Sequence, residues 1–172
     1  EDIAGLRIRA AGGPANLERL AALGAEPVVI PWPDLPLALQ QGEVDGVLTS
    51  HASVVSADLW ASGIQYAFED RQYFPQYVPL VSHLFWQRLS VEQQQILQQC
   101  WEQGVDEARS AARSAQEQAR KDLIGHGVRV TAPSEQELSL WRDRIMEKQD
   151  DLVTLLGIDL NLVRQARDML MQ

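Results

Sequence analysis

Residues 5–30 read GLRIRAAGGPANLERLAALGAEPVVI, and this run decides the fold class. Leu6-Arg7-Ile8-Arg9 alternates apolar and basic residues, so Leu6 and Ile8 point into a core while Arg7 and Arg9 share the other side of a strand. Gly12-Gly13-Pro14 then opens a helix: proline at a first helical position has its backbone angle preset and lacks a donor that would go unused there. The run Ala15 to Leu23 carries that helix to Gly24, a C-terminal stop, and Val28-Val29-Ile30 follows as a second, buried strand. The unit is strand, helix, strand.

Working outward, the unit repeats. Pro31-Trp32-Pro33 leads to Asp34, the expected N-cap of a helix over Leu35 to Gln41, which Gly42 stops. Val44-Asp45-Gly46-Val47-Leu48 reads as a third strand, Thr49-Ser50 as a turn and Ala52 to Trp60 as another helix. Such alternation favours a parallel α/β sheet, whose ligands sit beyond the carboxyl ends of the strands. Ala10 to Gly13, Trp32 and Thr49 to His51 gather at those ends. Ile64 to Phe68 and Val78 to Val81 are further expected strands.

Near residue 89 the texture changes to polar helices. Ser90 with Gln93 forms a capping box, and the helix it opens runs without proline to Gly125, about 50 Å at 1.5 Å per residue. Leu97, Cys100, Trp101, Val105, Ala108 and Ala112 make a connected stripe along it, so Cys100 and Trp101 are expected to pack. A strand at Val128 to Val130 follows. A second capping box, Ser134 with Glu137, then opens a helix through Leu138, Leu140, Trp141, Ile145 and Leu152 to Gly157, and Leu160 to Met171 closes the chain.

Composition bounds the function. The 172 residues carry 24 acidic against 15 basic side chains, a net charge of −9, with no segregated basic patch, which disfavours a nucleic-acid partner. No stretch offers the roughly 20 apolar residues of a membrane span. One cysteine excludes an internal disulfide and every multi-cysteine zinc pattern. His51, His83 and His126 lack the spacing of a helical metal pair, so no metal or other cofactor is expected.

Three groups of residues could carry chemistry. Ser50, His51 and Asp45 contain the types a hydrolase needs, but adjacent Ser and His rarely face each other and no nucleophile elbow surrounds Ser50, so catalysis is not expected. Gly12-Gly13 lacks the lysine of a phosphate loop and the third glycine of a dinucleotide fingerprint. Arg9 beside that turn offers a rigid fork matched to a carboxylate, and Trp32, set between two prolines, offers a flat face as ligand cover or as a lid on the core.

The order "GLRIR", "LGAEPV" (residues 23–28) and "ALQQGEVDG" (residues 38–46) strongly resembles the DctP-type solute-binding proteins of TRAP transporters. The resemblance continues through Thr49-Ser50, Ala57-Asp58-Leu59-Trp60, Val81 to Leu89 and the long helix. It implies a periplasmic-binding-protein-like α/β fold, two-lobed and type II-like, with a long bracing helix and the first lobe largely absent from this chain. It implies a periplasmic protein, its signal peptide not in this chain, that captures a small organic acid and delivers it to the membrane subunits of a TRAP permease. Enzymatic activity is not implied.

By the same resemblance Arg9 is the ligand's carboxylate anchor, Trp32 lines the cleft, and Thr49 and Ser50 form the ligand-facing turn. Tyr73, in the crossover to the other lobe, is a further candidate. Val47-Leu48-Thr49-Ser50 replaces the Gln-Glu-Asn-Pro of many members, so an amide gives way to a hydroxyl and the relatives' ligands do not transfer. Residues 1–74 with 115–172 are expected to form the second lobe. Residues 75–114, a crossover strand and part of the long helix, are expected to belong to the first, and the chain alone to bind ligand poorly. The alternative on the same fold is a sensing protein that presents a ligand-dependent surface to a signalling receptor.

Overall fold

Alternation at Leu6 to Arg9 resolves as β1 (Arg7–Ala10), shifted by one residue toward the glycine turn, in a computed structural model that describes residues 3–72 and 77–170. Gly13 caps α1 (Pro14–Ala22) with Pro14 at its first position, and the chain turns at Gly24 with φ of 86°. A Cβ at Gly24 would lie 3.1 Å from that of Ala4, so this stop needs glycine for its backbone angle and for space. β2 (Glu26–Val29) runs parallel to β1, with Ile8 opposite Pro27 and Arg9 opposite Val28. Pro27 is tolerated because β2 is an edge strand and needs no donor on its outer side.

The second unit departs from expectation in three places. Asp34 does not cap. Trp32–Asp34 form a 3₁₀ turn whose Asp34 N–H already bonds the Pro31 carbonyl, and this turn runs directly into α2 (Leu35–Gln40). The third strand shrinks to β3 (Gly46–Val47), because Val44 turns into the core and the Asp45 carboxylate folds back onto β1. The third helix also splits, into α3 (His51–Ser56) and a 3₁₀ turn at Leu59–Ser62, where Asp58 adopts a left-handed conformation. α3 begins one residue before the expected Ala52, with Ser50 as its N-cap.

β3 pairs parallel with β1, giving the order β2-β1-β3 and bringing all three carboxyl ends to one edge. β4 (Tyr66–Phe68) and β5 (Arg129–Thr131) make a separate parallel pair, connected through α4 (His83–Trp86) and α5 (Val91–Gly125). A cavity of about 420 Å³ lies between β3 and β4, with Val47, Tyr66, Ala67 and Leu123 among its walls. The expected strand at Val78 to Val81 forms no ladder: among the described residues nothing comes alongside it, and a strand exists only through a partner.

Leu35, Ala38, Val44, Val54, Leu59, Leu123 and Val128 form the main core, and Ala10, Leu20 and Ala25 a smaller one under α1. Trp60, which packs against the main core, stacks on the exposed His126 with ring centroids 4.0 Å apart. Both capping boxes form as expected, at Ser90 with Gln93 and Ser134 with Glu137. The long helix is nevertheless buried only at Ala119 and Leu123. Cys100 is exposed and Trp101 is 50% exposed, so the expectation that this stripe packs is overturned: among the described residues no element covers it.

The last expected long helix is two. α6 (Glu135–Met146) stops at Glu147, and α7 (Gln149–Leu155) begins again with Asp150 and Asp151 in its first turn, where acidic groups suit the helix dipole. The break lets both Leu138 and Val153 be buried, with α6 and α7 each lying against α1. Trp141 packs as expected, its ring 5.3 Å from that of Phe68. α8 (Leu160–Leu170) follows. No helix among the described residues is long and apolar enough to cross a membrane.

Candidate functional site

Parallel pairing fixes where the candidate residues stand. Arg9 lies opposite Val28 on one side and Val47 on the other, one residue before the end of β1, and only 5% of it is exposed. Its Nε donates to the Ile30 carbonyl at 2.8 Å, and its guanidinium carbon lies 5.4 Å from the centroid of the Trp32 ring. Trp32 reaches this position because the Pro31 and Pro33 rings restrict the backbone around it; its other surroundings belong to the main core. The tryptophan is therefore at once a lid on the core and a platform for the arginine, worth about 0.5–2 kcal/mol as a cation–π pair.

Arg7, two residues earlier and on the same side of the strand, has a different task. Nη2 meets Asp45 Oδ1 at 2.7 Å, Nε meets Oδ2 at 3.0 Å, and the Arg7 backbone N–H also donates to Oδ2 at 2.8 Å. The Arg7 guanidinium, with the backbone N–H second, holds the Asp45 carboxyl below the usual aspartate range, and Arg7 is raised in return. Asp45 thus ties β3 to β1.

The hydrolase arrangement does not assemble. Asp45 is engaged by Arg7, and His51 Nε2 lies 3.6 Å from Glu69 Oε1. The same Glu69 oxygen accepts from Arg120 Nε at 2.7 Å. Ser50 Oγ caps α3, accepting from Ser53 N–H at 3.4 Å, and receives Gln116 Nε2 at 3.3 Å. No group of three or more metal-ligating His, Cys, Asp or Glu occurs among the described residues.

Thr49, Ser50 and His51 line a groove of about 920 Å³ against the long helix, which contributes Arg109, Arg113, Gln116 and Arg120. Arg9 and Trp32 form one cluster at the carboxyl edge, and Thr49 and Ser50 form another on this groove; the strand register links them through the Leu48 N–H, which donates to the Arg9 carbonyl at 2.8 Å. Tyr73 lies outside the described residues. The Ile30 carbonyl, Glu69, Gln116 and Arg120 were not legible as site residues. Each is recruited across 21 to 66 positions of chain, and Gln116 sits in a polar helical run with no local mark.

Residues 1–153 match the family described as DctP, bacterial extracellular solute-binding protein, family 7. The ectoine-binding periplasmic protein TeaA of Halomonas elongata is 22% identical over 159 residues, 91% of this chain and 46% of TeaA. A TRAP periplasmic solute-binding protein from Ochrobactrum anthropi, with its C-terminus bound in the ligand-binding pocket, superposes with a TM-score of 0.75 at 28% identity, over 99% of this chain and 56% of its own. One from Ralstonia eutropha H16, bound to (S)-2-acetolactate, gives a TM-score of 0.75 at 26% identity, over 92% of this chain and 52% of its own. The chain spans about half the length of the relatives it matches.

Proposed function

Since the chain belongs to family 7 of the bacterial extracellular solute-binding proteins, the DctP family, whose members bind solutes for transport and are not enzymes, we propose that it captures a small organic acid through Arg9. The single observation that carries this reading is the setting of Arg9: a nearly buried guanidinium, tied by Nε to the Ile30 carbonyl and braced on Trp32, at the carboxyl edge of a parallel sheet. Such fixing leaves little side-chain freedom to lose when a carboxylate arrives, which favours binding. Hydroxyls at Thr49 and Ser50 add polar contacts from the turn.

The protein works in the periplasm and passes its ligand to the membrane subunits of a TRAP permease. Residues 1–74 and 115–172 form one lobe, and 75–114 belong to the other. This division is supported by where the long helix is buried, at Ala119 and Leu123 only, and by Leu80 standing 88% exposed with Leu84, Ile96 and Trp101 exposed beyond it. Capture ends in closure of the two lobes over the ligand, which excludes water.

The test is intrinsic tryptophan fluorescence titrated with small mono- and dicarboxylates, (S)-2-acetolactate among them, on this chain and on the longest natural form of the protein. A saturable change that Arg9→Ala abolishes supports the reading. A response that survives Arg9→Ala unaltered overturns it.

A further inference from the structure

The turn bearing Thr49 and Ser50 is held by one side chain of the long helix. Gln116 Oε1 accepts the Ala52 N–H at 3.1 Å, and Gln116 Nε2 faces Ser50 Oγ at 3.3 Å. The amide cannot be flipped: the Ala52 N–H can only donate, so the oxygen must face it and the NH₂ must face the hydroxyl. Ser50 Oγ also receives the Ser53 N–H at 3.4 Å. A hydroxyl has two acceptor positions and one proton to donate. Both acceptor positions are filled by N–H groups, and the capacity left over is the O–H, with Ser53 Oγ 3.1 Å away. A ligand in the groove can redirect only that bond.

We propose that Gln116 is a specificity-determining positioning residue, which presets Ser50 as a hydrogen-bond donor toward the groove so that the turn takes an oxygen acceptor and turns away an N–H. The proposal rests on the reading of Ser50 as ligand-facing and gives that turn its chemical selectivity: a carboxylate oxygen is welcomed, whereas an amide nitrogen meets no free lone pair. The groove wall around the turn is mixed, with Arg109, Arg113 and Arg120 beside Glu69, Asp70 and Glu117, and Arg120 is itself engaged by Glu69, so the selectivity argued here belongs to the Ser50 hydroxyl and not to the charge of the wall.

Two measurements test it. Lactate and its neutral isostere lactamide are titrated against the wild type, Ser50→Ala, Gln116→Glu and the double variant. In Gln116→Glu the new carboxylate accepts the Ala52 N–H and the Ser50 O–H together, and a Ser50 lone pair turns to the groove. The preference for lactate is expected to fall about tenfold or more, an effect that shrinks severalfold in the Ser50→Ala background. An equal fall in that background would mean that charge alone acts, and the proposal is overturned. If Ser50→Ala binds lactate like the wild type, the reading of the turn as ligand-facing fails first and takes the proposal with it.

The second measurement needs no ligand. In Gln116→Glu the carboxyl introduced at position 116, followed by carbon-13 NMR, should titrate below the ordinary glutamate range, because both its partners donate, and should rise when Ser50→Ala is added. An ordinary value unchanged by Ser50→Ala removes the contact, and the proposal with it, whatever the titrations give.

Discussion

Arg9 lays its guanidinium over the Trp32 ring, 5.4 Å from the centroid, while Nε holds the Ile30 carbonyl at 2.8 Å. One arginine thereby joins β1 to the end of the β2 segment and to the 3₁₀ turn after it, and the side chain proposed to bind ligand is also part of the scaffold.

Arg9→Lys keeps the charge and loses the fork. It is expected to weaken carboxylate binding by about tenfold or more, since a point charge cannot bond Ile30 and a carboxylate in the same planar geometry. Isothermal titration with (S)-2-acetolactate measures this, and an affinity equal to that of the wild type contradicts the anchoring role.

Acid should loosen the join between β3 and β1. The folded Asp45 carboxyl lies below its unfolded value, so the unfolded state binds more protons in the interval between them, and the stabilisation is complete above the ordinary aspartate range. It is lost as pH falls through the folded value. Urea midpoints of the wild type and Asp45→Asn should therefore differ by a constant amount near neutrality and converge below about pH 4. A gap that persists into strong acid rules out this pair as the cause.

Burial along the long helix is uneven, and substitutions should show it. Leu123, 0% exposed among Leu35, Leu59 and Val128, is expected to cost about 2–5 kcal/mol on truncation to alanine. Trp101→Ala on the same helix should fall within about 0.5 kcal/mol of the wild type in this chain. Denaturant unfolding of both variants decides; equal losses would mean that Trp101 is covered in solution.

Ser90→Ala removes the hydroxyl that accepts the Gln93 N–H and leaves the reciprocal half of the capping box alone. About 1 kcal/mol of helix-end stability should go with it. Amide hydrogen exchange should quicken over Glu92 to Gln95 and stay unchanged near Leu123. Uniform quickening along the helix would point to global destabilisation instead.

What could be read in advance was local. Pro14 and Gly24 bound their helix, and both capping boxes form, because each signal needs partners within a few residues. Asp34 misled because the 3₁₀ turn before α2 already holds its backbone in the helical region, whereas a capping residue needs an extended backbone to bring its side-chain oxygen onto the first free N–H groups, and propensity does not register that turn. Val78 to Val81 has the composition of a strand but no neighbour among the described residues, and the stripe through Trp101 has the spacing of a buried face but no cover. Arg9, Trp32, Thr49 and Ser50 were legible as candidates through family resemblance; their partners Ile30 and Gln116 were not, since a hydrogen bond across 66 positions leaves no mark on either end.

Among the described residues the long helix is buried only near its C-terminal end and carries just the short α4 segment at the other, which makes it a lever. Gln116 holds the fulcrum at the Ser50 turn, and the arm from there back to Val91 measures about 38 Å at 1.5 Å per residue. A tilt of about 5° at the fulcrum swings the far tip by about 3 Å, by the geometry of a rigid rod of that length. Sub-ångström adjustments where a hydroxyl changes its partner are thus magnified at the distant end of the rod.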